Sequence, residues 1–172
     1  MKRKNGFTIV ELLMVITVIG VLLGIVTTAA TASMRSARER RASVMKTILE
    51  GGLAVYHRQH DEWPGVIEDY AKEGKNHVLS SGEYDKVVQE LLEQSSGTGG
   101  ANPVLDPTGL MVMNAGSPDG KTTGIDYRTA LTELKMKDVK SFTIVYPISD
   151  SGKAKRFKIS YVAASDSVSV GL

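Results

Sequence analysis

The stretch GFTIVELLMVITVIG, Gly6 to Gly20, sets one carboxylate, Glu11, among fourteen uncharged residues, most of them strongly apolar. An unpaired acid in hydrocarbon costs several kcal/mol, with ~2.5–3.5 kcal/mol as the lower, insertion-based figure. Either something offsets that cost or the partner of Glu11 arrives later.

Working outward, Glu11 is the only ionisable side chain from Phe7 to Ala32. Twenty residues, Phe7 to Val26, make a helix of ~30 Å, the thickness of a bilayer's hydrocarbon. A soluble core helix of that length carries a polar stripe, and this one has none. The segment reads as membrane-spanning. Lys2 to Lys4 and Ala30-Thr31-Ala32 suit the two ends of a secretory signal peptide, but the apolar run is too long for one. A plain single-pass anchor leaves Glu11 unexplained.

The run KRKNG-FTIVELLMVITVIGVLLGIV resembles the N-terminus of the type IV pilin and type II secretion pseudopilin superfamily over residues 2–32. The resemblance implies a basic leader, residues 1–6, cut after Gly6 by a prepilin peptidase, with Phe7 becoming the N-methylated first residue. It implies that Glu11 pairs with the Phe7 amine of a neighbouring subunit during assembly. A buried charge that is paired is tolerated where a single one is not, and a slipped register would leave both unpaired. The implied place is the bacterial cytoplasmic membrane, N-terminus in the cytoplasm and the bulk outside. Implied partners are other pilin-like subunits, copies of the chain, the inner-membrane assembly platform and the lipid bilayer. Charge does not fix that topology, because Lys2, Arg3 and Lys4 are balanced by Arg35, Arg38, Arg40 and Arg41 across the span. Gly20 and Gly24 form a G-x-x-x-G that either lets helices pack closely or simply softens the helix.

The chain has 172 residues and no cysteine, which suits one domain plus an anchor and excludes disulfides and thiolate chemistry. Residues 1–6 hold three of the 21 basic residues and none of the 19 acidic ones. The remainder is close to neutral, which gives no electrostatic reason to expect nucleic acid as a partner. The arginines at 35–41 read first as a solvated helix face with headgroup contact, since Glu39 interrupts them and no aromatics interleave.

The expected architecture is α+β. A long helix, half in the membrane (7–32) and half outside (to about 60, ~80 Å in all), packs against a small antiparallel sheet, and residues 33–172 form an extracytoplasmic domain. Met34, Ala37, Arg41, Val44, Ile48, Ala54 and Tyr56 approximate the outer helix's apolar stripe. Gly51-Gly52 weakens it, and Trp63-Pro64-Gly65 ends it. Ser81 caps a helix over Glu83 to Gln94, with Tyr84, Val87, Val88, Leu91 and Leu92 apolar. Asp126 caps another through Leu134. Ser141 to Ile148 and Lys155 to Ala163 read as a hairpin turning at 149–153, with Ser165 to Val170 as an edge strand.

Enzyme signatures are absent: there is no G-x-S-x-G, Walker A loop or His-Glu-x-x-His. His57 and His60 are a weak metal signal. Asp106, Asp119, Asp126, Asp150 and Asp166 lie in turn-rich loops without EF-hand spacing. The resemblance leaves calcium conceivable there, and no other cofactor is expected. The expected function is a pilus or secretion-pseudopilus subunit. The alternatives are a minor pilin of initiation or DNA uptake, a tethered domain that never polymerises, and a soluble protein cut near Ala32. DPTG at 106–109 and the lack of cysteine lean weakly toward a pseudopilin.

Overall fold

In a computed structural model the chain is described over residues 8–95, 104–106, 109–132, 142–149 and 151–172. It divides into two compact units, Met1–Ala37 and Arg38–Leu172. The fold is α+β, with a long N-terminal helix and two small antiparallel sheets. Helix α1 runs Ile9–His60. Its apolar N-terminal part is long enough to cross a membrane and none of it is buried.

In the second unit α1 buries Ala42, Met45, Leu49, Gly52, Leu53 and Tyr56, spaced as one helical face. Of the stripe expected from sequence only Tyr56 is buried. Met34 and Val44 are more than half exposed, and Ala37, Arg41 and Ala54 also face outward. Two apolar rows run along this helix, and the domain selected the one that includes Gly52. A Cβ on Gly52 would meet Leu105 Cδ1 at 2.8 Å, while one on Gly51 would meet nothing within 4 Å. Gly52 is therefore a place of close approach as well as a weak point in the helix.

Asp61, at φ +57°, turns the chain out of α1, and its N–H donates to His57 O at 2.8 Å. Pro64 then opens α2 (Gly65–Glu73), a helix that the sequence reading stopped short of. Proline ends one helix and suits the first turn of the next, because it lacks an N–H that would be unpaired there anyway. Gly74, at φ +64°, closes α2 in the left-handed region. Its N–H and that of Lys75 donate back to Ala71 O and Tyr70 O.

Strand β1 (His77–Val78) leads to α3 (Ser81–Ser95). The cap of α3 is Ser80 rather than Ser81. Glu83 N–H donates to Ser80 Oγ at 3.4 Å while Ser80 N–H donates to Glu83 Oε2 at 2.7 Å, a reciprocal capping box. Tyr84, Val87, Val88, Leu91 and Leu92 are all buried, as their spacing predicts.

The larger sheet has the order β3-β2-β4-β5, from β2 (Met111–Asn114), β3 (Ile125–Asp126), β4 (Phe142–Pro147) and β5 (Ala154–Arg156). Residues 120–124 run along the outer edge of β5, with Thr123 bridged to Lys153. Ala154 N–H donates to Thr122 O, and Gly120 N–H to Ala154 O. The same segment continues into β3, so the sheet closes on itself and both its edges are covered. Inside the closure a Cβ on Gly124 would meet Met111 Cε at 2.8 Å, Ala154 Cβ at 3.0 Å and Val145 Cγ2 at 3.1 Å. Phe142 to Val145 is buried on both strand faces, and Tyr84 of α3 donates its hydroxyl to Ile144 O at 2.8 Å.

The expected hairpin is real only in part. β4 pairs with β5, but the strand expected over Lys155 to Ala163 breaks after Arg156. β6 (Lys158–Val162) joins the second sheet, order β1-β6-β7, with β7 (Ser167–Gly171) at its edge as predicted. Consecutive Arg156 and Phe157 are both buried, which a single alternating strand does not permit. Asp126 lies in β3, directly before α4 (Tyr127–Thr132). The predicted end of that helix at Leu134 falls outside the described residues.

Candidate functional site

The question posed by Glu11 has a local answer. Thr8 N–H donates to Glu11 Oε2 at 2.8 Å, Thr8 Oγ1 donates to the same oxygen at 2.9 Å, and Glu11 N–H donates to Thr8 Oγ1 at 3.3 Å. This is a capping box at the start of α1. The carboxylate sits at a helix N-terminus, where unpaired backbone N–H groups and the helix dipole favour an anion. T-x-x-E was the signal for it, and the sequence reading used only the E. Both bonds that the carboxylate accepts from Thr8 fall on Oε2. Gly6 and Phe7, the expected cleavage and methylation positions, lie outside the described residues.

Further along α1 the polar side chains satisfy themselves. Thr17 donates to Leu13 O at 2.8 Å, Thr27 to Leu23 O at 2.7 Å, Thr28 to Ile25 O at 2.8 Å and Thr31 to Thr28 O at 2.9 Å. Such back-bonding is what a polar group needs where no water is present. Gly20 and Gly24 have nothing within 4 Å of a built Cβ, so that side of α1 is open to close approach.

Residues 1–27 match the family model for the prokaryotic N-terminal methylation motif. The chain carries the prepilin-type signal. That signal marks type IV pilins and pseudopilins, and it implies processing by prepilin peptidase and assembly with other pilin subunits. With the long apolar helix behind it, the prepilin-type segment fits a single-pass anchor in the inner membrane. No curated protein and no solved structure gives a significant match to the chain.

Of the other candidate residues, His57 and Asp166 come together beside Trp63, with His57 Nε2 3.9 Å from Asp166 Oδ2. His57 packs its ring on Trp63 with centroids 4.1 Å apart, while His60 packs on Tyr56 at 4.4 Å. Asp166 accepts from Trp63 Nε1 at 3.0 Å and from Tyr161 OH at 2.9 Å. The Trp63 bond first, then that from Tyr161, holds its carboxyl below the ordinary aspartate value. Asp126 lies 3.8 Å from Arg41. Asp150 is outside the described residues. Among the described residues no three metal-ligating side chains come together.

Asp119 belongs to a network that the sequence did not announce. Arg156 donates Nε to Asp85 Oδ1 at 2.7 Å, Nη2 to Asp85 Oδ2 at 2.8 Å, and Nη1 to both Ser117 O at 2.8 Å and Asp119 Oδ1 at 2.6 Å. Gly116 N–H adds a bond to Asp85 Oδ2 at 2.9 Å. Burial would raise the Asp85 carboxyl, but these donors outweigh it and hold it below its ordinary value. A guanidinium of the chain itself thus ties the 116–119 loop to α3.

Proposed function

We propose that this chain is a pilin-like filament subunit, stored in the inner membrane by α1 and polymerised through it, in a type IV pilus or type II secretion pseudopilus. One observation carries the reading: a prepilin-type segment leads an apolar stretch of helix none of which is buried among the described residues. An apolar surface of that extent needs lipid in one state and neighbouring helices in the other. Cleavage after Gly6 creates the Phe7 amine, one residue before the Thr8 cap. The Glu11 carboxylate is the acceptor for the amine of an adjacent subunit, and Gly20 and Gly24 allow the helices to approach. Residues 33–172 supply the extracytoplasmic filament surface, and no enzymatic step or resident cofactor is assigned to them. Calcium binding is not part of this reading, because Asp119, Asp126 and Asp166 already hold partners within the domain.

The test is co-expression with prepilin peptidase and an assembly platform, followed by N-terminal sequencing and shearing. The expected mature protein begins at N-methylated Phe7 and appears in the sheared fraction. Replacing Gly6 by a bulky residue leaves uncut chain in the membrane. A mature terminus at Ser33 overturns the proposal, and a correctly cut protein found only in membranes makes it a tethered domain instead.

A further inference from the structure

We infer that the cavity where His57 and Asp166 meet beside Trp63 is a binding site for a neutral pyranose sugar. The inference goes beyond filament assembly and does not rest on it, since every residue of the site belongs to the second unit.

The cavity holds about 360 Å³, within the range of small-molecule sites. It lies where the last turn of α1, the bend after it, α2, β6 and the turn before β7 come together. Its polar wall is His57, Asp61, Glu68, Lys72 and Asp166. Asp61 and Asp166 are also the described non-glycine residues with left-handed φ, at +57° and +42°. Strained backbone of that kind gathers at ligand clamps.

Donors and acceptors approach one another in this wall without closing. His57 Nε2 and Asp166 Oδ2 are 3.9 Å apart, beyond a direct hydrogen bond. Lys72 Nζ and Glu68 Oε1, one turn apart on α2, are 3.5 Å apart. The two carboxylates are aimed through their other oxygens. Asp166 Oδ1 accepts from Trp63 Nε1 and Tyr161 OH, and Glu68 Oε2 accepts from the Trp63 N–H at 2.9 Å. An alcohol donates and accepts at once, so one hydroxyl can bridge a cation-type donor and a carboxylate that do not reach each other.

Charge selects the ligand class. Three carboxylates, those of Asp61, Glu68 and Asp166, oppose an anion. His57 and Lys72 place donors in the same space, and among the described residues no three metal-ligating side chains come together, which opposes a metal cation. A neutral ligand with several hydroxyls uses both sets. Trp63, Ala71 and Ala163 complete the lining and give apolar surface for the C–H face of a sugar ring. A few placed polar groups beside an apolar wall are the ordinary make-up of such a site.

The test holds the full chain in a detergent without a sugar headgroup and follows the fluorescence of Trp63, the chain's one tryptophan. D-glucose, D-galactose, D-mannose and N-acetyl-D-glucosamine are added in turn. At least one is expected to give a saturating change, while glycerol, free lysine, inorganic phosphate and calcium chloride give none at the same concentration. His57→Phe keeps an aromatic ring against Trp63 but has no hydrogen-bonding nitrogen. It is expected to weaken the sugar about tenfold with the melting temperature unchanged. Should that variant melt early, Lys72→Met, at an exposed side chain, carries the same expectation of weaker binding. No saturating change with any of the four sugars overturns the inference. So does a response to glycerol equal to the sugar's, or sugar affinity unchanged in the variant that folds. A response to lysine or calcium in place of sugar makes this a cation site and overturns it too.

Discussion

Arg156 grips Asp85 through two parallel hydrogen bonds, Nε to Oδ1 at 2.7 Å and Nη2 to Oδ2 at 2.8 Å, across 71 residues of sequence. The Arg156 side chain is 5% exposed and that of Asp85 8%. Breaking such a pair from one side strands a buried charge. Arg156→Met is expected to cost ~3–5 kcal/mol of unfolding free energy, measured by denaturant titration. Adding Asp85→Leu recovers part of it. Recovery is incomplete because the Gly116 N–H and Asp119 lose their partners too.

Three glycines separate by their surroundings. Gly124→Ala drives a methyl into Met111, Ala154 and Val145, and overpacking of that kind costs ~1–3 kcal/mol. Gly52→Ala meets the end of one flexible leucine and costs less. Gly51→Ala meets open space and stabilises α1 by up to ~1 kcal/mol. Thermal melts of the three variants are expected to fall in that order, and a Gly124→Ala domain as stable as the parent would contradict the closed sheet.

The α3 capping box makes stability depend on acid. Glu83 accepts from the Ser80 N–H first, then exchanges bonds with the Ser80 side chain, which takes its carboxyl from the ordinary 4.5 to about 2. A depressed folded-state value means the contribution is complete above pH 4.5 and is lost as pH falls toward 2. Glu83→Gln keeps a capping residue but cannot titrate. Its stability curve is expected to be flatter than the parent's in that window, and Ser80→Ala to cost ~1 kcal/mol at neutral pH.

Among the described residues, the core of the second unit draws on residues from Ala42 onward. A fragment from Arg38 to Leu172 is therefore expected to be a soluble monomer with a cooperative melt. Size-exclusion chromatography and calorimetry check this, and detergent-dependent solubility would place the boundary elsewhere.

Glu11 caps α1 within the chain, and the proposed assembly gives it a second, separable role as a charge for the neighbouring amine. Glu11→Gln retains the cap, since Gln serves at the same capping-box position, but removes the charge. Glu11→Ala removes both. Each is easier to hold in lipid than the acid, so membrane storage should survive in both. If assembly needs the charge pair, both fail to appear in sheared filaments. Filaments from Gln but not Ala would assign Glu11 to capping and end the pairing mechanism.

The features legible in the sequence are those encoded within one stretch of chain. The prepilin-type segment needs only an uninterrupted apolar run, a Gly-Phe junction and one acid at a set distance. Helix α3 needs only its five apolar residues at helical spacing. The missed features were ambiguous locally. Pro64 was read as a stop and is also the start of α2. The outer part of α1 has two apolar rows of similar appearance, and spacing cannot say which one meets a core.

Tertiary structure decided the rest, above all the split between β5 and β6. Lys-Arg-Phe-Lys at 155–158 looks like one alternating strand because an arginine counts as an outward residue. Arg156 points inward because Asp85 waits there, brought from a distant helix by folding, and two consecutive inward residues force the chain to change sheets. The N-terminal segment was determined by the sequence because its apolar run and its T-x-x-E cap are local, and none of that run is buried among the described residues. The register of the domain was determined only by the fold, because the charge that permits Arg156 to be buried belongs to another element.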